Sequence, residues 1–200
     1  MEIGIINEPG NWDNIPAGEI FTTPDEFKVN GVLVLPVLES MISQKQGVDE
    51  FVRVTFKDGV ITSITGGESA KELRQKLDEK MQKEIKEGSG NPLNVLRIAE
   101  IGFGARKNAR PAAADPEKGW EHPATATVEA EKRFGTIHLA IGDPKHGEEG
   151  TEGFAEDVVS HYDFVIPRNG LTVEMFTNER DWKEKKNSER VIDRGGLNFF

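Results

Sequence analysis

The amino-acid sequence predicts an α+β fold, a mixed and mostly antiparallel β-sheet domain with one long helix. Three patterns lead there: an alternating segment folded about Asp58-Gly59, a single helical stripe from Ser69 to Glu87, and further strand-like runs that do not alternate regularly with helices. A regular alternation would instead have implied a parallel sheet with crossover helices.

Taken in order, Pro16 and Gly18 shape a turn, and the residues after them read as extended. Gly31-Val-Leu-Val-Leu-Pro-Val-Leu is an apolar run of strand length. Phe51 to Ile64 alternates on both sides of Asp58-Gly59, a dipeptide that suits the type I′ turn because both of its central residues need positive φ. From Ser69 to Glu87, Leu73, Leu77, Met81 and Ile85 recur at four-residue spacing, which places them on one helical face turned to the core. Ser69 with Glu72 has capping-box spacing, and Gly88 marks the stop. Asn94 to Phe103 reads as a strand carrying one acidic residue, and the Gly102-Phe-Gly-Ala and Thr65-Gly-Gly-Glu pairs read as turns. A loop rich in Ala, Pro and charge runs from Ala105 to about Pro123. Strand signals return at Thr136 to Ile141 and Tyr162 to Ile166, and Leu171 to Phe176 with Val191-Ile192 predicts a terminal hairpin across a charged turn.

Composition narrows the chemistry. Two hundred residues suit one domain, 1–200, and 36% hydrophobic with 30% charged residues suits a soluble globular chain. No apolar run reaches membrane-span length and no leader pattern opens the chain, so the expected address is the cytoplasm. The absence of cysteine excludes disulfides, thiolate nucleophiles and thiolate-bound metal, leaving oxygen and imidazole as donors. A formal net charge of −10 argues against a nucleic-acid partner, which would need clustered Lys and Arg. Gly-x-Ser-x-Gly, His-Glu-x-x-His and P-loop patterns are absent.

Five residues form a candidate metal site. His161 and Asp163 are two apart, so a strand would project both from one face toward a single cation. His138 interrupts an apolar strand, and Glu100 lies between Ala99 and Ile101, where an ionised carboxylate needs a compensating charge. Arg97 or Arg106 could supply that charge as well as a metal could. Glu19 follows a Pro-Ala-Gly turn that would hold its direction. Read singly, each fits an ordinary satisfied or solvated side chain; it is their combination that suggests a metal.

The segments Asn14-Ile-Pro-Ala-Gly-Glu-Ile-Phe-Thr-Thr-Pro, Ile98-Ala-Glu-Ile-Gly-Phe-Gly, Gly135-Thr-Ile-His-Leu-Ala-Ile-Gly-Asp and Ser160-His-Tyr-Asp-Phe-Val-Ile resemble, in the same order, motifs of the aminopeptidase T and S metalloprotease family. The resemblance implies a thermophilic metalloprotease-like catalytic domain without the family's N-terminal α/β domain. It also implies a metal-dependent aminopeptidase, a hydrolase of peptide or small-molecule substrates, working as a homodimer. Glu19, Glu100, His138, His161 and Asp163 would then hold two divalent ions, Zn, Co or Mn, that activate water and polarise the scissile carbonyl. Glu131 is available to position a proton, and no residue stands out as the catalytic base. The family's tyrosine after its first histidine has no counterpart, since Tyr162 is the single tyrosine and Pro144, Lys145 and His146 occupy that neighbourhood.

A second reading comes from relatives that share the last two motifs and resemble ring-cleaving dioxygenases of dihydroxypyridines. There His138, His161 and Asp163 would form a two-histidine, one-carboxylate Fe(II) site, with Glu19 and Glu100 outside the coordination sphere. A third reading keeps the metal and drops catalysis.

Overall fold

Backbone hydrogen bonding gathers the strands into three antiparallel sheets in the computed structural model, which describes residues 18–35, 52–87, 90–109, 131–144, 160–166, 171–176, 178–194 and 196–197. The fold is α+β: mostly antiparallel sheets with one long helix. Among the described residues no helix is long and apolar enough to cross a membrane.

The first sheet joins β2 (Gly31–Leu35), β3 (Val52–Lys57) and β4 (Val60–Thr65). Asp58 and Gly59 connect β3 to β4 with φ of 49° and 77°, the left-handed pair that the dipeptide was expected to adopt. A side chain at position 59 is barred as well, because a Cβ there would lie 1.5 Å from the Glu26 carbonyl oxygen. The alternating inner residues Val52, Val54, Phe56, Ile61 and Ile64 are buried.

Against this sheet packs α1 (Glu68–Glu87). It starts one residue before Ser69, so Ser69 lies inside the first turn instead of capping it. Its buried positions are Ala70, Leu73, Leu77 and Glu84, while Ile85 is 54% exposed. A strict four-residue spacing drifts by about 40° per step on a helix of 3.6 residues per turn, so the expected stripe has rotated about 120° off the core face by its fourth member. Gly88 lies outside the described residues.

The segment expected as one strand from Asn94 divides in two. Pro92–Leu96 forms a 3-10 turn capped by Asn91, whose side chain accepts from the Leu93 N–H, and the strand proper begins at Ile98. Pro92 has no N–H to give a ladder and a fixed φ suited to a first turn, which explains the difference.

The central sheet has the order β1-β5-β6-β7, from β1 (Glu19–Thr22), β5 (Ile98–Gly104), β6 (Ile137–Gly142) and β7 (His161–Ile166). Gly102 and Gly104 therefore lie inside a strand and not in turns. One face carries Ile98, Ile141 and Phe164 into the core shared with α1 and the first sheet. The same face carries Ile101, Phe103, Ile137 and Ile166 against Leu171, Val173, Val191 and Ile192. Those last residues belong to the expected terminal hairpin, β8 (Val173–Phe176) with β9 (Ser188–Asp193), extended by β10 (Gly196–Leu197). The charged connection includes a short helix α2 (Glu179–Glu184), capped by Asn178.

Leu77→Ala should lower stability by about 2–5 kcal/mol, as for other buried leucines, whereas Ile85→Ala should stay within about 0.5 kcal/mol. Urea midpoints of the two variants check this, and equal losses would mean that α1 is rotated.

Candidate metal centre

The second face of the central sheet carries the chemistry. Antiparallel partners share a face, so the register lines up residues in rows across the strands. Glu100, Ala140 and Asp163 form one row. Gly102, His138 and Val165 form the next, with Gly142 opposite His161 on one side and Glu19 opposite Gly104 on the other. Each bulky polar side chain thus faces a Gly or Ala, and the missing side chains leave room for the polar ones to lean together. The requirement is sharp at Gly102, where a Cβ would stand 2.0 Å from Cε1 and 2.2 Å from Nε2 of His138.

A bulge sorts the ends of β5. Ile98 and Glu100 are two apart and would share a face in a regular strand, but the ladder slips between them, with Ile98 opposite Ile141 and Glu100 opposite Ala140. The extra residue sends Ile98 to the core and Glu100 to the polar face.

All five residues singled out from the sequence come together here. Nε2 of His138 is 2.7 Å from Glu100 Oε1 and 3.3 Å from Glu19 Oε2. Nε2 of His161 is 3.4 Å from Asp163 Oδ1 and 3.6 Å from Glu100 Oε2. The Nδ1–H of His161 donates to the Asp143 carbonyl at 2.7 Å, which turns Nε2 toward the carboxylates. Donor atoms lie within 4.8 Å of one another in three groups: Glu19, Glu100 and His138; Glu100, His161 and Asp163; Glu131, His138 and Asp163. Asp163 is grouped with Glu100 and His161 and, separately, with Glu131 and His138.

Two further residues complete the cluster. Glu131 and Lys132 stand in the turn before β6, which is fastened to the end of β5 by bonds from Arg106 N–H to the Lys132 carbonyl and from Gly104 N–H to the Thr136 carbonyl. Glu131 is buried, and Lys132 is 0% exposed with Nζ 2.7 Å from Glu19 Oε1 and 3.3 Å from Glu131 Oε1. Lys132 escaped the sequence reading because it sits in a charged run, Glu129-Ala-Glu-Lys-Arg, that resembles any solvated surface. Neither expected arginine faces Glu100 as its named partner: Arg97 donates to Asn94 and the Glu26 carbonyl and lies over the Phe27 ring, and Arg106 packs against Gly18. Pro16 and His146 lie outside the described residues.

Electrostatics follow from three buried carboxylates, Glu19, Glu100 and Glu131, with the half-buried Asp163 beside them. Burial raises the Glu19 carboxyl from 4.5 to about 7, against the pull of His138 and Lys132. Burial, reinforced by the negative charge of Asp163, likewise raises Glu131 to about 7. Burial alone would strip the proton from both imidazoles, but hydrogen bonding and charge from Glu100 hold His138 up at about 9, and Asp163 does the same for His161. His138 Nδ1 and Glu19 Oε2 are buried and make no hydrogen bond among the described residues. Buried donor atoms left unmatched, excess negative charge and an oriented imidazole all fit a divalent cation held by oxygen and nitrogen.

Comparison with known proteins identifies the family. The model of the family described as "NicX: 2,5-dihydroxypyridine 5,6-dioxygenase" matches residues 1–174, and the chain belongs to that family. It is 33% identical over 109 residues to a 2,5-dihydroxypyridine 5,6-dioxygenase of Pseudomonas putida, an alignment covering 54% of this chain and 28% of that protein. The solved 2,5-dihydroxypyridine dioxygenase from Pseudomonas putida KT2440 superposes with a TM-score of 0.67 at 22% identity, over 100% of this chain and 49% of that one. The aminopeptidase T of Thermus thermophilus superposes at 0.59 and 18% identity, over 93% and 41% of the two chains. This chain therefore spans about half or less of these relatives.

These findings correct the hydrolase reading. The aminopeptidase resemblance holds as a distant likeness of fold, while the family is one described as a dioxygenase, so the assignments as hydrolase, metalloprotease and aminopeptidase are set aside. The motifs misled because they specify a strand scaffold and its donor atoms, which different metals and reactions can share.

In metal-free protein, NMR titration should place both imidazole midpoints near 9, above the ordinary 6.5. In Glu100→Gln the His138 midpoint should fall, because burial then acts with less opposition; an unchanged midpoint would contradict the pairing.

Proposed function

We propose that this chain forms the metal-holding part of a mononuclear non-haem Fe(II) dioxygenase that opens the ring of a dihydroxypyridine. The observation that carries this reading is the position of Asp163, within ligand distance of groups containing His138 and His161, on a chain of the NicX family. His138, His161 and Asp163 supply the two imidazoles and one carboxylate typical of Fe(II) oxygenases. Glu19 and Glu100 then act from outside the coordination sphere, Glu100 by orienting His138 through the 2.7 Å contact. Fe(II), when bound, supplies redox chemistry toward dioxygen and a Lewis-acidic point of attachment for a ring hydroxyl.

The protein's own groups prepare the rest. A hydroxypyridine must lose a proton to become electron-rich enough for oxidative cleavage, and Glu131, with its carboxyl raised to about 7, is suited to take and return one near neutral pH. Lys132 beside it keeps positive charge next to the developing anion. Val165 and Ala140 on the same face are apolar and buried and add no further charge to the cluster.

Anaerobic loading should give about one Fe per chain, and oxygen uptake should then depend on 2,5-dihydroxypyridine. Asp163→Ala and His161→Ala should each weaken metal binding beyond the about 10–100-fold expected of an outer group such as Glu100. Failure of the protein to hold any divalent metal would end this reading.

The pH dependence has a definite sign. Folded metal-free protein holds imidazole protons up to about 9, whereas the unfolded chain releases them near 6.5, so this contribution to stability is full below 6.5 and is lost as pH rises through 9. Metal binding requires the imidazoles neutral and so becomes stronger over the same interval. The melting-temperature gap between Mn(II)-loaded and metal-free protein should widen from pH about 6 to about 9. A gap that narrows in differential scanning fluorimetry would contradict imidazole ligation.

A further inference from the structure

We propose that Lys132 is the built-in second cation of this site, so that the pocket accepts one divalent ion and Glu19 is held out of its coordination sphere. The inference rests on the metal reading above and assigns a positive partner to Glu19, Glu131 and Asp163, with Glu100 paired to His138. Glu19, Glu100, Glu131 and Asp163 crowd onto one sheet face with His138 and His161. A donor set so rich in carboxylate would ordinarily balance two dications, as the two-metal expectation assumed. One of those positive charges is already present as protein: the Lys132 ammonium, completely buried, lies 2.7 Å from Glu19 and 3.3 Å from Glu131.

The ammonium is fixed in place. The Lys132 carbonyl accepts from the Arg106 N–H at 2.8 Å, and the Arg106 carbonyl accepts from Phe134 N–H at 2.9 Å, so the turn is laced to the chain just beyond β5. Gly18, whose carbonyl accepts from the Ala105 N–H, brings Glu19 to the same place from the other side. A metal ion ligated by Glu19 would sit about 2 Å from a carboxylate oxygen. Lys132 Nζ already holds Oε1 of that carboxylate, so a dication on Oε2 would stand only one carboxylate group away from the ammonium, in a setting with little water to screen their repulsion. Lys132 thereby separates the cluster into two parts. Glu19 and Glu131 belong to the ammonium, and Asp163 with the two imidazoles is left for the metal. Lysine suits this role as a compact point charge on a long stem.

The test uses Mn(II) as the probe, with elemental analysis after desalting, electron paramagnetic resonance, and circular dichroism to confirm folding. Wild type should retain one Mn per chain with an uncoupled spectrum. Lys132→Met should approach two Mn per chain with a spin-coupled signal, Lys132→Arg should return to one, and adding Glu19→Gln to Lys132→Met should remove the second ion. Glu19→Gln alone should keep one Mn with affinity within about tenfold of wild type, the mild end of the loss expected from an outer group. Two Mn in wild type, or one in folded Lys132→Met, would overturn the role of Lys132 while leaving the metal site standing. No Mn in wild type would instead overturn the metal reading beneath it. If Lys132→Met does not fold, Glu19→Gln decides, and a loss of more than about 100-fold would make Glu19 a ligand and refute the proposal.

Discussion

Three buried carboxylates, Glu19, Glu100 and Glu131, gathered with the half-buried Asp163 at one face of a β-sheet are the constraint that organises this molecule. Removing an ion from water costs several kcal/mol even after the protein relaxes, so such a cluster exists only with positive charge supplied inside it. The fold supplies that charge from three directions: His138 from β6, His161 from β7, and Lys132 from the turn fastened beyond β5. The proton balance follows from the same crowding, since imidazoles kept charged and two glutamates pushed toward neutrality reduce the excess of negative charge.

The rest of the structure makes the crowding possible. Gly102, Ala140 and Gly142 face the polar side chains across the ladder, and the bulge in β5 lets Ile98 and Glu100 serve opposite faces. The apolar face packs against α1 and the first sheet at one end and against the terminal hairpin at the other. A sheet packed at both ends is a suitable base for a donor set, because small shifts of a ligand weaken metal binding.

The likeness to both a dioxygenase and an aminopeptidase structure is a likeness of fold, and a fold says little about reaction type. One fold can host hydrolytic and oxidative chemistry, and the metal and the groups around it decide between them. In this chain a buried lysine stands beside two of the carboxylates and adds a fixed positive charge to the cluster.

Residue pattern alone located most of the strands, the Asp58-Gly59 hairpin, the His161/Asp163 spacing and two polar residues, Glu100 and His138, at odds with their apolar surroundings, because strand alternation, turn stereochemistry and the cost of burying charge are local properties. It misplaced what depends on neighbours distant in the chain. Ile85 shared the helical stripe but fell outside the packed face, Gly102 read as a turn although its missing side chain makes room for His138, and Lys132 looked solvated although it is fully enclosed. Only the tertiary structure decided these, since the register between strands and the burial of a charged run are set by which segments meet, and that is not encoded in any one segment.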